Sequence, residues 1–181
     1  MRTASESATL YLAYTVFGEF VKNSNMSQTK KSVLFICLGN ICRSPIAEAV
    51  FRHILEEKGL LHEWEVDSAA LGSWHVGGRP DRRATKILRN HNIDFSHRVR
   101  QITEDDFKHF DFIFGMDENN MRGLNDQKLP GSKSKLILLG SCDPQGERII
   151  RDPYYDDNDA GFEKCYQQCV RSCTAFIESQ L

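Results

Sequence analysis

The chain has 181 residues, with 25 acidic and 23 basic side chains and a formal net charge of −2. At ~100–200 residues per domain this is one domain, or one domain with a tail, and it can bury a core without a metal or disulfide staple. The near-neutral balance argues against a nucleic-acid binder held by phosphate neutralisation, and the apolar (40%) and charged (27%) fractions are ordinary for a globular protein.

Residues 1–31 differ from the rest. Their apolar run, Leu10 to Phe17, falls well short of the ~20 residues of a membrane span. A signal-peptide cleavage site is weak, and Glu6 and Glu19 suit a mitochondrial presequence poorly. The segment is expected to be a dispensable, flexible extension, with Met26 as a candidate internal start and 32–181 as the domain.

From Ser32 onward, short apolar runs alternate with helical periodicity. Val33-Leu34-Phe35-Ile36 reads as a strand buried on both faces. Pro45 lies early in a helix with Ile46, Ala47, Val50, Phe51, Ile54 and Leu55 on one face, and Gly59 stops it. Trp64–Asp67 is a short strand and Ala84–Asn90 a helix. Thr103 opens a helical turn before a strand at Phe110–Met116. Glu118–Leu124 is a short helix, Leu136–Leu139 the fourth strand, and 161–178 the last helix. The pattern predicts an α/β fold in three layers: a doubly wound, four-stranded parallel sheet with helices on both faces.

Ligands of such sheets bind beyond the carboxyl ends of the strands. There the sequence reads Cys37-Leu38-Gly39-Asn40-Ile41-Cys42-Arg43-Ser44-Pro45, a strand end, a tight loop and a helix start. Such a loop can aim successive backbone N–H groups into an anion nest, reinforced by the helix N-terminus. Gly39 permits a sharp turn, and Asn40 tolerates a left-handed conformation. Arg43 supplies a fork for two phosphate oxygens. Cys37 at the floor is expected to have a thiol pKa below the free value of ~8.5. The spacing gathers a nucleophile and a phosphate clamp. Asp152, ahead of Pro153-Tyr154-Tyr155, is a candidate acid for the leaving group, and the two tyrosines offer apolar area to an aromatic substrate.

The strings CLGNICRSPIAEAVF, VDSAA, SHRVRQIT, MDENN and DPYY, in this order, resemble the low-molecular-weight protein tyrosine phosphatases over residues 32–181. The larger tyrosine phosphatases place histidine before the nucleophile, where this chain has Ile36. The resemblance implies a cytoplasmic phosphatase with no cofactor or metal, acting on phosphotyrosine proteins and small aryl phosphates. By family pattern Cys37 attacks phosphorus, Arg43 and the loop residues Leu38, Gly39, Asn40, Ile41, Cys42 and Ser44 hold the phosphate, and Asp152 acts as acid and then base. Ser44 is expected to bond the Cys37 sulfur. Ser68, His97 and Asp117 are expected to support the loop, and Trp74, Tyr154 and Tyr155 to form the walls. The sequence carries no expectation of a nucleic-acid partner or membrane span, and a monomer or weak dimer is expected.

Six cysteines invite a disulfide framework, but a chain of this length reads better as carrying packed or reactive thiols. Cys165, Cys169 and Cys173 share the apolar face of the last helix. Cys42 lies in the same loop as Cys37 and could form a protective disulfide with it, as the resembled family does. Cys142 has no assigned role, and Tyr154 and Tyr155 are candidate phosphorylation sites. Two other functions compete. A thiol-dependent arsenate reductase would need relay cysteines, yet none lies between Arg43 and Ser141. A non-catalytic phosphate-binding module would not need an intact nucleophile, clamp and acid.

Overall fold

The structure, a computed structural model, describes residues 30–181. Apart from Lys30 and Lys31, the expected N-terminal extension lies outside the described residues. Strand β1 (Lys31–Cys37) pairs in parallel with β2 (Trp64–Ala70) on one side and β3 (Phe112–Gly115) on the other; β4 (Lys135–Leu138) adds beyond β3. The order β2-β1-β3-β4, parallel throughout, is the expected doubly wound sheet.

The apolar run in β1 divides by strict alternation. Val33, Phe35 and Cys37 enter one core, Leu34 and Ile36 the other. Helices α1 (Arg43–Glu57), α2 (Arg82–Asn90) and α5 (Ala160–Ser179) pack over the first face. Helices α3 (Glu104–His109) and α4 (Glu118–Gln127) cover the second. The first core is aromatic: Phe35 stacks on Phe114 with ring centroids 5.3 Å apart, and Phe176 of α5 meets Phe51, Trp64, Phe112 and Phe114. Each buried ring of this kind is worth about 1.5–3 kcal/mol, so α1 and α5 are clamped to the sheet beneath the loop that follows β1.

Several element ends differ from the periodicity, each for a hydrogen-bonding reason. The third strand is shorter than Phe110–Met116, because Phe110 N–H bonds Asp106 C=O and closes α3, while Met116 N–H bonds the Asn120 side chain. The second strand continues to Ala70, still paired with Cys37. Helix α2 begins at Arg82 because the Asp81 side chain caps it.

Adjacent strands β1 and β3 feed helices on opposite faces, α1 and α4. That divergence opens a crevice at their carboxyl ends. Cys37 ends one strand there, and Asp117 follows the other.

Candidate active site

Between β1 and α1 the chain curls through residues 38–42, with Asn40 at φ 54° in the left-handed region. Its side chain satisfies that conformation from several directions. Asn40 Nδ2 donates to Ser44 Oγ and Ser68 Oγ, both at 2.9 Å, and its Oδ1 accepts from His97 Nε2 at 2.7 Å. Its backbone N–H points at Cys37 Sγ, 3.2 Å away, and Ser44 Oγ lies 3.1 Å from the same sulfur. Asn40, Ser44 and Ser68 are fully buried, so this polar network is worth more than its parts in water.

Glu48, which no local sequence pattern marks, anchors the network. Its Oε2 accepts from Ser68 Oγ at 2.8 Å and lies 3.2 Å from His97 Nδ1, while Arg52 holds Oε1. Both His97 nitrogens thus face oxygen acceptors, from Asn40 on one side and Glu48 on the other. Glu48, Asp67 and His97 bring potential ligand atoms within 4.8 Å of one another. Asp67 is also paired with Arg100, so the group reads as a charge network rather than a metal cage.

Arg43 begins α1 and is almost wholly buried. Nη1 reaches Asp117 and the Ile150 carbonyl, and Nη2 donates to Asp152 Oδ2 at 2.8 Å. Burial opposes the guanidinium charge, but Cys37, Asp152 and Asp117 outweigh it and hold its pKa above the ordinary arginine value. Arg43 Nε is buried with no hydrogen-bond partner. An orphaned charged donor costs about 1–3 kcal/mol, which an arriving oxyanion would return. The helix end is likewise open. Cys42 occupies the N-cap position with no side-chain cap bond, and the first turn carries no acid.

Asp152 comes from far along the chain. Ile150 N–H bonds the Met116 carbonyl at the end of β3, which lays the segment beside the crevice. Asp152 Oδ1 then accepts from Tyr154 N–H at 3.1 Å. Cys37, Arg43 and Asp152 line one pocket of about 390 Å³, together with Leu38, Gly39, Ile41, Cys42, Trp74, His75, Tyr154 and Tyr155. Tyr154 and Tyr155 meet edge to face, 5.0 Å between centroids, and Trp74 and Tyr155 are largely exposed. Gly72 makes room for the Trp74 ring: a Cβ there would lie 1.7 Å from it.

Arg83 is a second residue the sequence did not single out. Its fork binds both Asp81 oxygens, donates to the carbonyls of Tyr154 and Asp156, and sits over the Phe162 ring. It therefore ties the segment bearing Asp152 to the start of α2. Cys42 is buried, and burial, followed by the neighbouring Cys37, pushes its thiol far above the ordinary value. All six cysteines are free thiols.

This fold and this crevice define an α/β protein with a cysteine–arginine anion loop at a sheet switch point. The family model of "Low molecular weight phosphotyrosine protein phosphatase" matches residues 32–181. The protein of that name from Sus scrofa is 54% identical over 153 residues, covering 83% of this chain and 96% of the relative. The crystal structure of Primo-1 superposes with a TM-score of 0.80 at 51% identity, covering 83% of this chain and 98% of that one. A Drosophila arginine phosphatase, DARP, superposes with a TM-score of 0.77 at 39% identity, covering 82% and 96%. The chain belongs to the low molecular weight phosphotyrosine protein phosphatase family.

Proposed function

We propose that the protein hydrolyses phosphotyrosine in proteins, and small aryl phosphates, through a cysteinyl-phosphate intermediate. The observation that carries this reading is the convergence of Cys37, Arg43 and Asp152 on one aromatic-walled pocket, with Arg43 Nε left without a hydrogen-bond partner. The phosphate enters the open end of α1, where loop amides, Arg43 Nε and the helix dipole meet its oxygens. Phosphate oxygens displace the Asp152 carboxylate from Arg43 Nη2, and the freed carboxylate takes up the Cys37 thiol proton and turns to the phenolic oxygen. Cys37 Sγ attacks phosphorus, the P–O bond to the ring breaks, and protonated Asp152 gives its proton to the departing oxygen. The Asp152 carboxylate then takes a proton from water as that water attacks phosphorus. The S–P bond breaks and inorganic phosphate leaves. Ser44, Asn40, Ser68, His97 and Glu48 hold the sulfur and loop in place, and Asp117 holds Arg43. Trp74, Tyr154 and Tyr155 grip the ring.

Cys42 serves as a redox guard in this reading: a peroxide-oxidised Cys37 sulfenic acid condenses with the Cys42 thiol to a disulfide, releasing water, and thiols restore both. The six free thiols support a reducing, cytoplasmic setting. Among the described residues, no helix is long and apolar enough to cross a membrane.

Hydrolysis of p-nitrophenyl phosphate tests the reading. The wild-type protein turns it over without added metal and Cys37→Ser does not; robust turnover by Cys37→Ser overturns the nucleophile. Phosphoarginine, assayed in parallel, is a poor substrate if the aromatic walls select an aryl ester.

A further inference from the structure

A second concavity, of about 820 Å³, runs along α2. Arg79, Arg82, Arg83, Lys86 and Arg89 line it, against only Asp94 and Asp159. Arg83 is taken up by Asp81 and Lys86 by Asp159. Arg79, Arg82 and Arg89 are exposed and have no ion-pair partner among the described residues. Arg82, Lys86 and Arg89 fall four and three residues apart, so they share one helical face. A chain of formal charge −2 has thus gathered unpaired guanidinium groups in one groove.

This groove adjoins the phosphate pocket. Asp81 N–H bonds the Ile41 carbonyl at 2.8 Å, and Arg83 holds the Tyr154 carbonyl at 3.0 Å. Tyr154 lines the pocket and Arg83 the groove, so the two concavities meet at that hydrogen bond. From there α2 extends for nine residues, about 13 Å at ~1.5 Å per residue. An extended peptide spans that with about four residues.

We propose that this groove binds an acidic stretch of the phosphoprotein substrate, placed on one side of the phosphotyrosine. The inference rests on the phosphatase reading and names the substrate class. Arg79, Arg82 and Arg89 supply forks for Asp or Glu carboxylates, while Lys86, released from Asp159, adds a fourth cation. Such rim charges speed encounter and select partners more than they add raw affinity, and salt weakens them.

The test compares kcat/KM for three phosphotyrosine peptides: four glutamates before the phosphotyrosine, four after it, and alanines in both places. Wild type is expected to prefer one acidic peptide over the alanine peptide by roughly tenfold at low salt, since several weak exposed ion pairs form together. The preference shrinks in ~0.5 M sodium chloride. In Arg79→Ala/Arg82→Ala/Arg89→Ala the preference is lost, while p-nitrophenyl phosphate turnover and Tm stay at wild-type values. An unchanged preference in that variant, or none in wild type, overturns the groove. Loss of p-nitrophenyl phosphate turnover by wild type overturns the phosphatase reading instead. If the variant loses only its binding to phosphoinositide vesicles, the groove serves a lipid surface and the peptide proposal falls.

Discussion

The N-terminus of α1 and those of α2 and α4 use opposite chemistry. Asp81 caps α2 by accepting from Arg83 N–H at 2.8 Å, and Asp117 caps α4 by accepting from Asn120 N–H at 2.7 Å. Each capping carboxylate also grips an arginine, Asp81 the Arg83 fork and Asp117 the Arg43 guanidinium. Helix α1 has neither a capping side chain nor an acid in its first turn, and its own Arg43 keeps an unpartnered Nε. Two helix ends are therefore closed by internal carboxylates, and a third is left for an anion from outside. The carboxylates of the closed ends position the arginines that serve the open one.

Among variants that keep the Cys37 nucleophile, the largest effect is expected from Asp152→Ala, which removes the proposed proton donor but leaves the open helix end intact. Turnover should fall by about 10²–10⁴-fold, while inorganic phosphate still raises the melting temperature; loss of that protection would mean Asp152 holds the anion site itself. Arg43→Lys acts on the open end directly. A point charge cannot hold Asp117 and fork two phosphate oxygens at once, so kcat should drop about 10²–10³-fold. Protection by phosphate, worth about 2.7 kcal/mol at a hundred times Kd in wild type, should largely disappear.

Smaller effects come from a closed end. Asp81→Ala removes the α2 cap, costing about 1 kcal/mol, and loosens Arg83 from the Asp152 segment, which should lower kcat more than it raises KM. The same residue gives a pH signature. Burial opposes the Asp81 charge, but the Arg83 hydrogen bonds and charge outweigh it, so its folded pKa lies below the usual carboxylate value. Its stabilisation is therefore present above the unfolded pKa of ~3.9 and is lost as pH falls through the lower folded value. Wild type and Asp81→Asn should differ in urea stability at neutral pH and converge in acid. A gap that persists unchanged at low pH would remove the ionic part of this account.

The loop proposed to hold phosphate was legible because its chemistry is contiguous: strand, turn and helix start fall within residues 33–45. Asp152 was legible through its own Asp-Pro-Tyr-Tyr neighbourhood. Glu48 was not. On a helix its charge reads as solvent-facing, and only the docking of α1 beside Ser68 and His97 buries it. Arg83 was hidden for the same reason, since its partners Tyr154 and Asp156 lie more than seventy residues away. Cys165, Cys169 and Cys173 were placed on the apolar face of the last helix, and all are buried there.

From its sequence alone the chain determined the alternation of strands and helices, the two-faced burial of β1 and the residue types gathered in the loop, because these depend on periodicity and short-range spacing. The tertiary structure alone decided which helix ends are closed and which is open. It also decided which carboxylate meets which arginine, and that the bare cations of α2 border the pocket lined by Cys37 and Arg43. Those outcomes depend on how helix faces are rotated against the sheet, which packing sets across long separations and no local pattern encodes.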